Sequence, residues 1–270
     1  MLYLKSHPRH ATAIVAVIVI GVALWLALSP KPQDEVWSRV QASGALRVGI
    51  DASYPPFETL DENGQIVGFD ADLANEIGKR LGLRVEFINI AYDGLLDALL
   101  TDRADVLISA LADLPQVAGK AAFTLPYYNA GDTLIVVADS GIQSMEDMSG
   151  RTLAVEFGSG GDVEARAWER RLSQLTVKRF PDPNAAVAAV ISGEADGALV
   201  DGIAARLAVG QNPRLALAGN VNDVLFAIAV PSKGIELRKQ LNQTIKEMSS
   251  DGTNFQLIVR WFGPQRDAGP

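Results

Sequence analysis

Hydrophobic and polar positions fall into three rhythms along this chain. The first is an unbroken apolar run, Ala11–Leu28, interrupted only by Thr12 and Gly21. It has no polar face, and its 18 residues reach about 27 Å as a helix, enough for a bilayer core. The second rhythm is short β-rich runs, and the third is amphipathic stretches of helical period. These two alternate through the rest of the chain, a pattern that predicts α/β architecture.

The predicted strands of a first unit are Leu46–Ile50, Val85–Ile90 and Val106–Ser109, with helices over Asp70–Leu81, ended by Gly82, and Tyr92–Thr101. A second set follows Thr133–Ala138. Its strands are Leu153–Glu156, Thr176–Phe180 and Ala198–Val200, and its helices are Asp162–Leu172 and Asn184–Ser192. One more β-type run, Leu225–Val230, leads into helical stretches Ile235–Ser249 and Asn254–Phe262. An internal echo supports two units: Leu99–Ile108 parallels Val190–Leu199, each ending a helix, turning on an Ala-Asp pair and entering an apolar strand.

Lys5 and Arg9 precede the first apolar run, while Pro30, Asp34 and Glu35 follow it, so the positive-inside rule places the body outside the cytoplasm. The run is long for a signal peptide and no small-x-small cleavage site precedes Ser29, which favours an uncleaved anchor over a cleaved signal. Residues 29–43 read as a polar stalk, with some helical character around Glu35–Gln41.

With 32 acidic and 24 basic residues the net charge is −8, and the basic residues form no stripe. Nucleic acid is therefore a poor partner. The chain has no cysteine, and its two histidines, His7 and His10, lie ahead of the apolar run. The body consequently has no imidazole or thiol for acid–base work, nucleophilic attack or metal ligation, which weighs against an enzyme and against a metal or other cofactor.

The stretch Gly49-Ile50-Asp51-Ala52-Ser53-Tyr54-Pro55-Pro56-Phe57-Glu58, followed by Gly68-Phe69-Asp70-Ala71-Asp72-Leu73, reads as a buried strand, a stiff aromatic loop, a short hairpin and a helix opening on acids. In open α/β sheets ligands gather at such strand ends. This order resembles the opening of the type 3 family of extracellular solute-binding proteins, which serve ABC importers of amino acids and related solutes. Phe123-Thr124-Leu125-Pro126-Tyr127-Tyr128 is similar to the family's Phe-Ser-x-Pro-Tyr segment, and the likeness runs from about Leu46 to Gly263.

The resemblance implies a two-lobed type II periplasmic-binding-protein fold with two hinge crossings, here preceded by an N-terminal transmembrane helix. Residues 1–30 are then anchor or signal, 31–43 stalk, and 44–132 the first part of lobe 1. Residues 133–224 form a hinge strand and lobe 2, 225–264 a return hinge strand completing lobe 1, and 265–270 a tail. On this reading Thr133–Ala138 and Leu225–Val230 are the strands that cross between lobes.

The resemblance also implies site residues. Tyr54 and Phe57 would stack on the solute, with Tyr92 as a third ring; the plainer alternative is core packing for Phe57 and a solvated turn for Tyr54. Ser159 and Gly160, in Gly158-Ser159-Gly160-Gly161-Asp162, would offer hydroxyl and amide contacts, with Asp162 as helix N-cap. Asp201, ending a strand, would grip an amino group; its alternative is a cap for a helix over Ile203–Val209. Ala110 and Asp113 belong to the one segment that departs from the family. Aligned on Pro115 and Phe123, Leu114 and Val117 stand where amino-acid binders carry a Thr and a carboxylate-clamping Arg.

Either another cation substitutes, with Arg166 the candidate, or the solute lacks that carboxylate. Glu58, Asp113 and Asp201 together with the aromatic rings suit a cation. The reading is an extracytoplasmic binding protein for a small amine-bearing solute, held at the membrane by residues 11–28 and partnered by permease subunits. Alternatives are an anchored ligand sensor, or a periplasmic dehydratase on the same fold.

Overall fold

The computed structural model describes residues 34–112 and 119–268. The anchor segment, Asp113, Leu114 and Val117 lie outside them. Among the described residues no helix is long and apolar enough to cross a membrane.

The chain opens with α1 (Glu35–Ser43), β1 (Ala45–Ile50) and a hairpin sheet of β2 (Ser53–Tyr54), β3 (Glu58–Leu60) and β4 (Ile66–Val67). It continues through α2 (Phe69–Leu81), β5 (Arg84–Asn89), α3 (Tyr92–Leu100), β6 (Val106–Leu107) and β7 (Ala121–Asn129). The second unit comprises β8 (Thr133–Val137), β9 (Thr152–Glu156), α4 (Gly160–Glu169), β10 (Thr176–Phe180), α5 (Pro183–Ser192), β11 (Gly197–Val200), α6 (Gly202–Gln211) and β12 (Leu215–Asn220). Finally β13 (Leu225–Pro231), α7 (Ile235–Ser250) and α8 (Thr253–Phe262) close the chain.

Two five-stranded sheets result, ordered β5-β1-β6-β13-β7 and β10-β9-β11-β8-β12. In each, three parallel strands carry βα connections and the fourth strand runs antiparallel. Each sheet has its own core, so the molecule is a mixed α/β protein of two lobes. Leu46, Val48, Phe57, Leu73 and Ile228 are fully or almost fully buried in lobe 1; Ile135, Ala154 and Ala198 are fully buried in lobe 2.

The strands expected to cross between lobes each belong to one sheet, β8 to the second and β13 to the first. Residues 130–132 and 221–224 make the crossings and bind each other side by side. The Ala130 N–H donates to Val224 O at 2.8 Å and the Val221 N–H to Asp132 O at 2.7 Å. A Cβ on Gly131 would stand 2.0 Å from the Asn222 carbonyl oxygen, so only glycine allows this approach. Residues after α8 also return to lobe 2: the Leu217 N–H donates to Arg266 O and the Ala268 N–H to Leu217 O, both at 2.8 Å.

The expected stalk differs from what forms. Asp34 caps α1, accepting the Trp37 N–H at 3.0 Å, and Val36 and Val40 are fully buried in the lobe 1 core. Their i, i+4 spacing gives the helix one apolar stripe, and burying that stripe ties it to the lobe.

Candidate functional site

The expected site residues within the described segments sit in or just beyond the loops at the C-terminal ends of parallel strands. Tyr54, Phe57 and Glu58 follow β1, Tyr92 follows β5 and Ala110 follows β6, while Ser159 and Gly160 follow β9 and Asp201 follows β11. At those ends the sheet stops pairing, and loop backbone and helix N-termini face a crevice.

On the lobe 1 side, Tyr54 is 46% exposed and stacks on Phe57, with ring centroids 5.8 Å apart and planes 9° from parallel. Phe57 itself is fully buried, edge-on to Phe69, Tyr128, Phe226 and Phe262 at 5.0–5.7 Å. It therefore offers a solute no surface of its own and acts as the floor beneath Tyr54. The reason is packing: one ring at the joint of the hairpin, β13 and α8 excludes more apolar surface from water than a ring in the crevice. Tyr92 is 51% exposed at the start of α3, where its N–H donates to Asp51 Oδ2 at 2.8 Å.

Glu58 is not an anion in the crevice. It is buried; the Ser109 hydroxyl donates to its Oε1 at 2.8 Å, and the Asp51 N–H donates to that hydroxyl at 3.0 Å. Burial, then the neighbouring Asp70, push its pKa up to about 10, so it carries a proton at neutral pH. Asp70, fully buried, accepts the Ala110 N–H at 2.6 Å and the Tyr127 hydroxyl at 2.9 Å on Oδ2. Glu58 Oε2 and Asp70 Oδ1 are the buried carboxyl oxygens without another partner among the described residues. One proton shared between them satisfies both. Ala110 thus spends its amide on Asp70, in a backbone with φ +45°.

On the lobe 2 side, Ser159 and not Asp162 caps α4. The Ser159 hydroxyl accepts the Asp162 N–H at 3.2 Å and donates to Glu156 O at 2.9 Å, so both its roles are internal. Asp162 accepts the Gly158 N–H and binds Arg166 at 2.7 Å and Arg179 at 2.8 Å. Arg166 is therefore neutralised beside its own helix and is not a substitute for the missing carboxylate clamp. The start of α4 also faces an acid. A Cβ on Gly160 would lie 2.8 Å from Asp132 Oδ2, so this carboxylate lies across the helix N-terminus where a solute anion would otherwise bind.

Asp132 is almost buried and accepts the Asn222 side-chain N–H at 2.8 Å. Burial pushes its pKa up; the Asn222 bond opposes the shift, and the neighbouring carboxylates Asp201 and Glu164 add to it. Asp201 uses Oδ1 twice, accepting the Ile203 and Ala204 N–H groups at 3.0 Å each as the cap of α6. Its Oδ2 has no hydrogen-bond partner among the described residues. Both lobes meet here: Tyr54 and Asp201 line one groove, and burial first, then Asp201, raises the Tyr54 pKa.

The structure brings Tyr54 and Asp201 together and sets Gly160 beside Asp132. Glu58, Ala110 and Ser159 are consumed in internal bonds. Sequence reasoning passed over Asp51, Asp70, Asp132 and Phe157. Phe157, 69% exposed in the loop after β9, was visible as an aromatic residue beside the glycine turn.

Residues 46–264 match the bacterial extracellular solute-binding proteins, family 3. A putative ABC transporter arginine-binding protein 2 of Escherichia coli (strain K12) is 29% identical over 227 residues, 82% of this chain and 92% of that protein. Among solved structures, an ancestral cationic amino acid solute binding protein is 31% identical with a TM-score of 0.61, covering 83% of this chain and 98% of its own. An ancestral cyclohexadienyl dehydratase is 26% identical with a TM-score of 0.75, over 86% of this chain and 98% of its own. The match spans both lobes, and the chain belongs to the bacterial extracellular solute-binding proteins, family 3.

Proposed function

We propose that this protein binds a small amine-bearing solute, an amino acid or a related cationic amine, outside the cytoplasm and hands it to an ABC importer. The observation that carries this reading is the state of charge at the crevice. Asp201 keeps one carboxylate oxygen unpaired beside Asp132, while Arg166 and Arg179 are both taken by Asp162 and Arg206 lies over the Tyr128 ring at 5.7 Å. An ammonium group entering here relieves the repulsion between two acids and gains a charge-assisted hydrogen bond, worth roughly 1.5–3 kcal/mol. A carboxylate would instead face Asp132 at the helix N-terminus.

Tyr54, backed by Phe57, supplies a cation–π face of about 0.5–2 kcal/mol. Contacts from Tyr54 on one lobe and Asp201 on the other bridge the crevice, so the ligand favours whichever lobe arrangement makes both contacts. Residues 11–28 serve as the tether in this reading, being apolar and long enough to span a bilayer core.

Asp201→Asn is the discriminating variant, because asparagine caps a helix as well as aspartate and removes only the charge. Calorimetry should show about a tenfold or larger loss of amine affinity with little change in melting temperature. Unchanged affinity would remove Asp201 from the site. Tyr54→Ala should weaken binding about threefold to thirtyfold, matching one lost aromatic face. Binding is preferred over catalysis because the chain's histidines are His7 and His10, and it has no cysteine. Product formation from prephenate-like acids would reverse that preference.

A further inference from the structure

The groove that holds Tyr54 and Asp201 extends well beyond them, an open furrow of about 710 Å³. Two adjacent helices wall it. From α5 come Asn184, Val187, Ala188 and Ile191, spaced i, i+3, i+4, i+7 along one face; from α6 come Ile203, Ala204, Leu207 and Ala208. These faces run for two turns, about 10 Å. Asp201 stands at the N-terminal end of α6, and Gln211 with Asn212 at the other. Asp201 is the one charged residue in the lining.

The apolar side chains of the walls are structural as well. Val187 and Leu215 belong to the lobe 2 core, whereas Ile203 and Leu207 also pack against the lobe 1 core. An occupant of the furrow therefore touches side chains that report to both lobes.

We propose that the solute is an amine with an unbranched aliphatic body: the ammonium sits at Asp201 beside Tyr54, and the chain lies in the furrow between α5 and α6. This rests on the amine-binding reading above. It adds that affinity comes from chain length as well as charge. Asp201 at one end holds the ammonium, the apolar side chains of the walls select methylenes, and Gln211 and Asn212 tolerate a polar far end.

The test is calorimetric titration of the full chain, at neutral pH, with ethylamine, butylamine and hexylamine, and with hexanoate for comparison. The expected result is a rise of about fourfold in affinity per buried methylene, with hexanoate not bound. Ala188→Trp, at an exposed position on the α5 wall, should cut hexylamine affinity tenfold or more and leave ethylamine binding unchanged. Retained ethylamine binding also reports that the variant folds. Equal affinities for ethylamine and hexylamine, or an Ala188→Trp protein that binds hexylamine normally, would overturn the inference while leaving amine binding intact. No binding of any amine would instead contradict the amine-binding reading itself.

Discussion

The two lobes share a joint but bury it differently. The Ala104-Asp105 pair and the Ala195-Asp196 pair each precede the third parallel strand of their sheet, β6 and β11. Asp105 Oδ2 accepts the Arg47 N–H at 3.0 Å at the start of β1, and Asp196 Oδ2 accepts the Thr152 N–H at 2.8 Å at the start of β9. There the likeness ends. Asp105 is buried and bound by both Arg39 at 3.0 Å and Arg47 at 2.7 Å, while Asp196 is exposed with Arg151 at 4.0 Å. The same turn serves as an ion-pair network in lobe 1 and a solvated cap in lobe 2. Topology fixes the hydrogen bond, and burial fixes its energetic weight.

The crevice ends repeat this contrast. Lobe 1 draws its carboxyls inward and stores a proton on them, whereas lobe 2 leaves Asp201 outside with a free oxygen. The largest expected effect follows from the joint. Asp105→Ala should lower stability by about 2–4 kcal/mol because Arg39 and Arg47 each lose a buried carboxylate and the Arg47 N–H loses its acceptor. The matching Asp196→Ala should cost below about 1 kcal/mol. Urea melts of both would show the gap, and equal costs would mean that burial does not set the weight.

A smaller effect concerns pH. The Glu58 pKa is raised from 4.5 to about 10 by burial first and then by Asp70, so the folded state holds its proton more tightly than the unfolded state. Its contribution is complete below pH 4.5 and declines as pH rises toward the folded value. Glu58→Gln keeps the hydrogen bond to Ser109 and removes the titration. Melting temperatures from pH 5 to 9 should fall more steeply for the parent protein than for the variant. Parallel pH profiles would mean that the buried pair holds no extra proton. The smallest expected effect is at Asp132→Asn, where amine affinity should drop about threefold with no loss of stability, since the variant relieves repulsion with Asp201. A loss of stability without a change in affinity would make Asp132 a purely structural group.

How much of this was legible follows from local chemistry. The inner parallel strands announce themselves as Val/Ile/Leu-rich runs, and α2 and α5 by glycine after the last turn. The antiparallel edge strands did not. β12 reads Leu215-Ala216-Leu217-Ala218-Gly219-Asn220, small residues of weak strand preference, and β7 contains Pro126 where its register against β13 shifts. Asp201 was readable because it directly follows an apolar strand. Asp132 was not, because Asn222, which orients it, lies ninety residues away in sequence. Glu58 in a proline-rich loop reads as an acid facing the crevice, and its burial depends on α2 and on Ser109 beyond β6.

On the proposed reading, the crevice holds a cation and needs no carboxylate on its guest. Titrating the full chain calorimetrically with arginine and with agmatine, which differ by that carboxylate alone, tests it most directly. Agmatine should bind at least as tightly as arginine. Arginine binding tenfold more tightly than agmatine would contradict the claim.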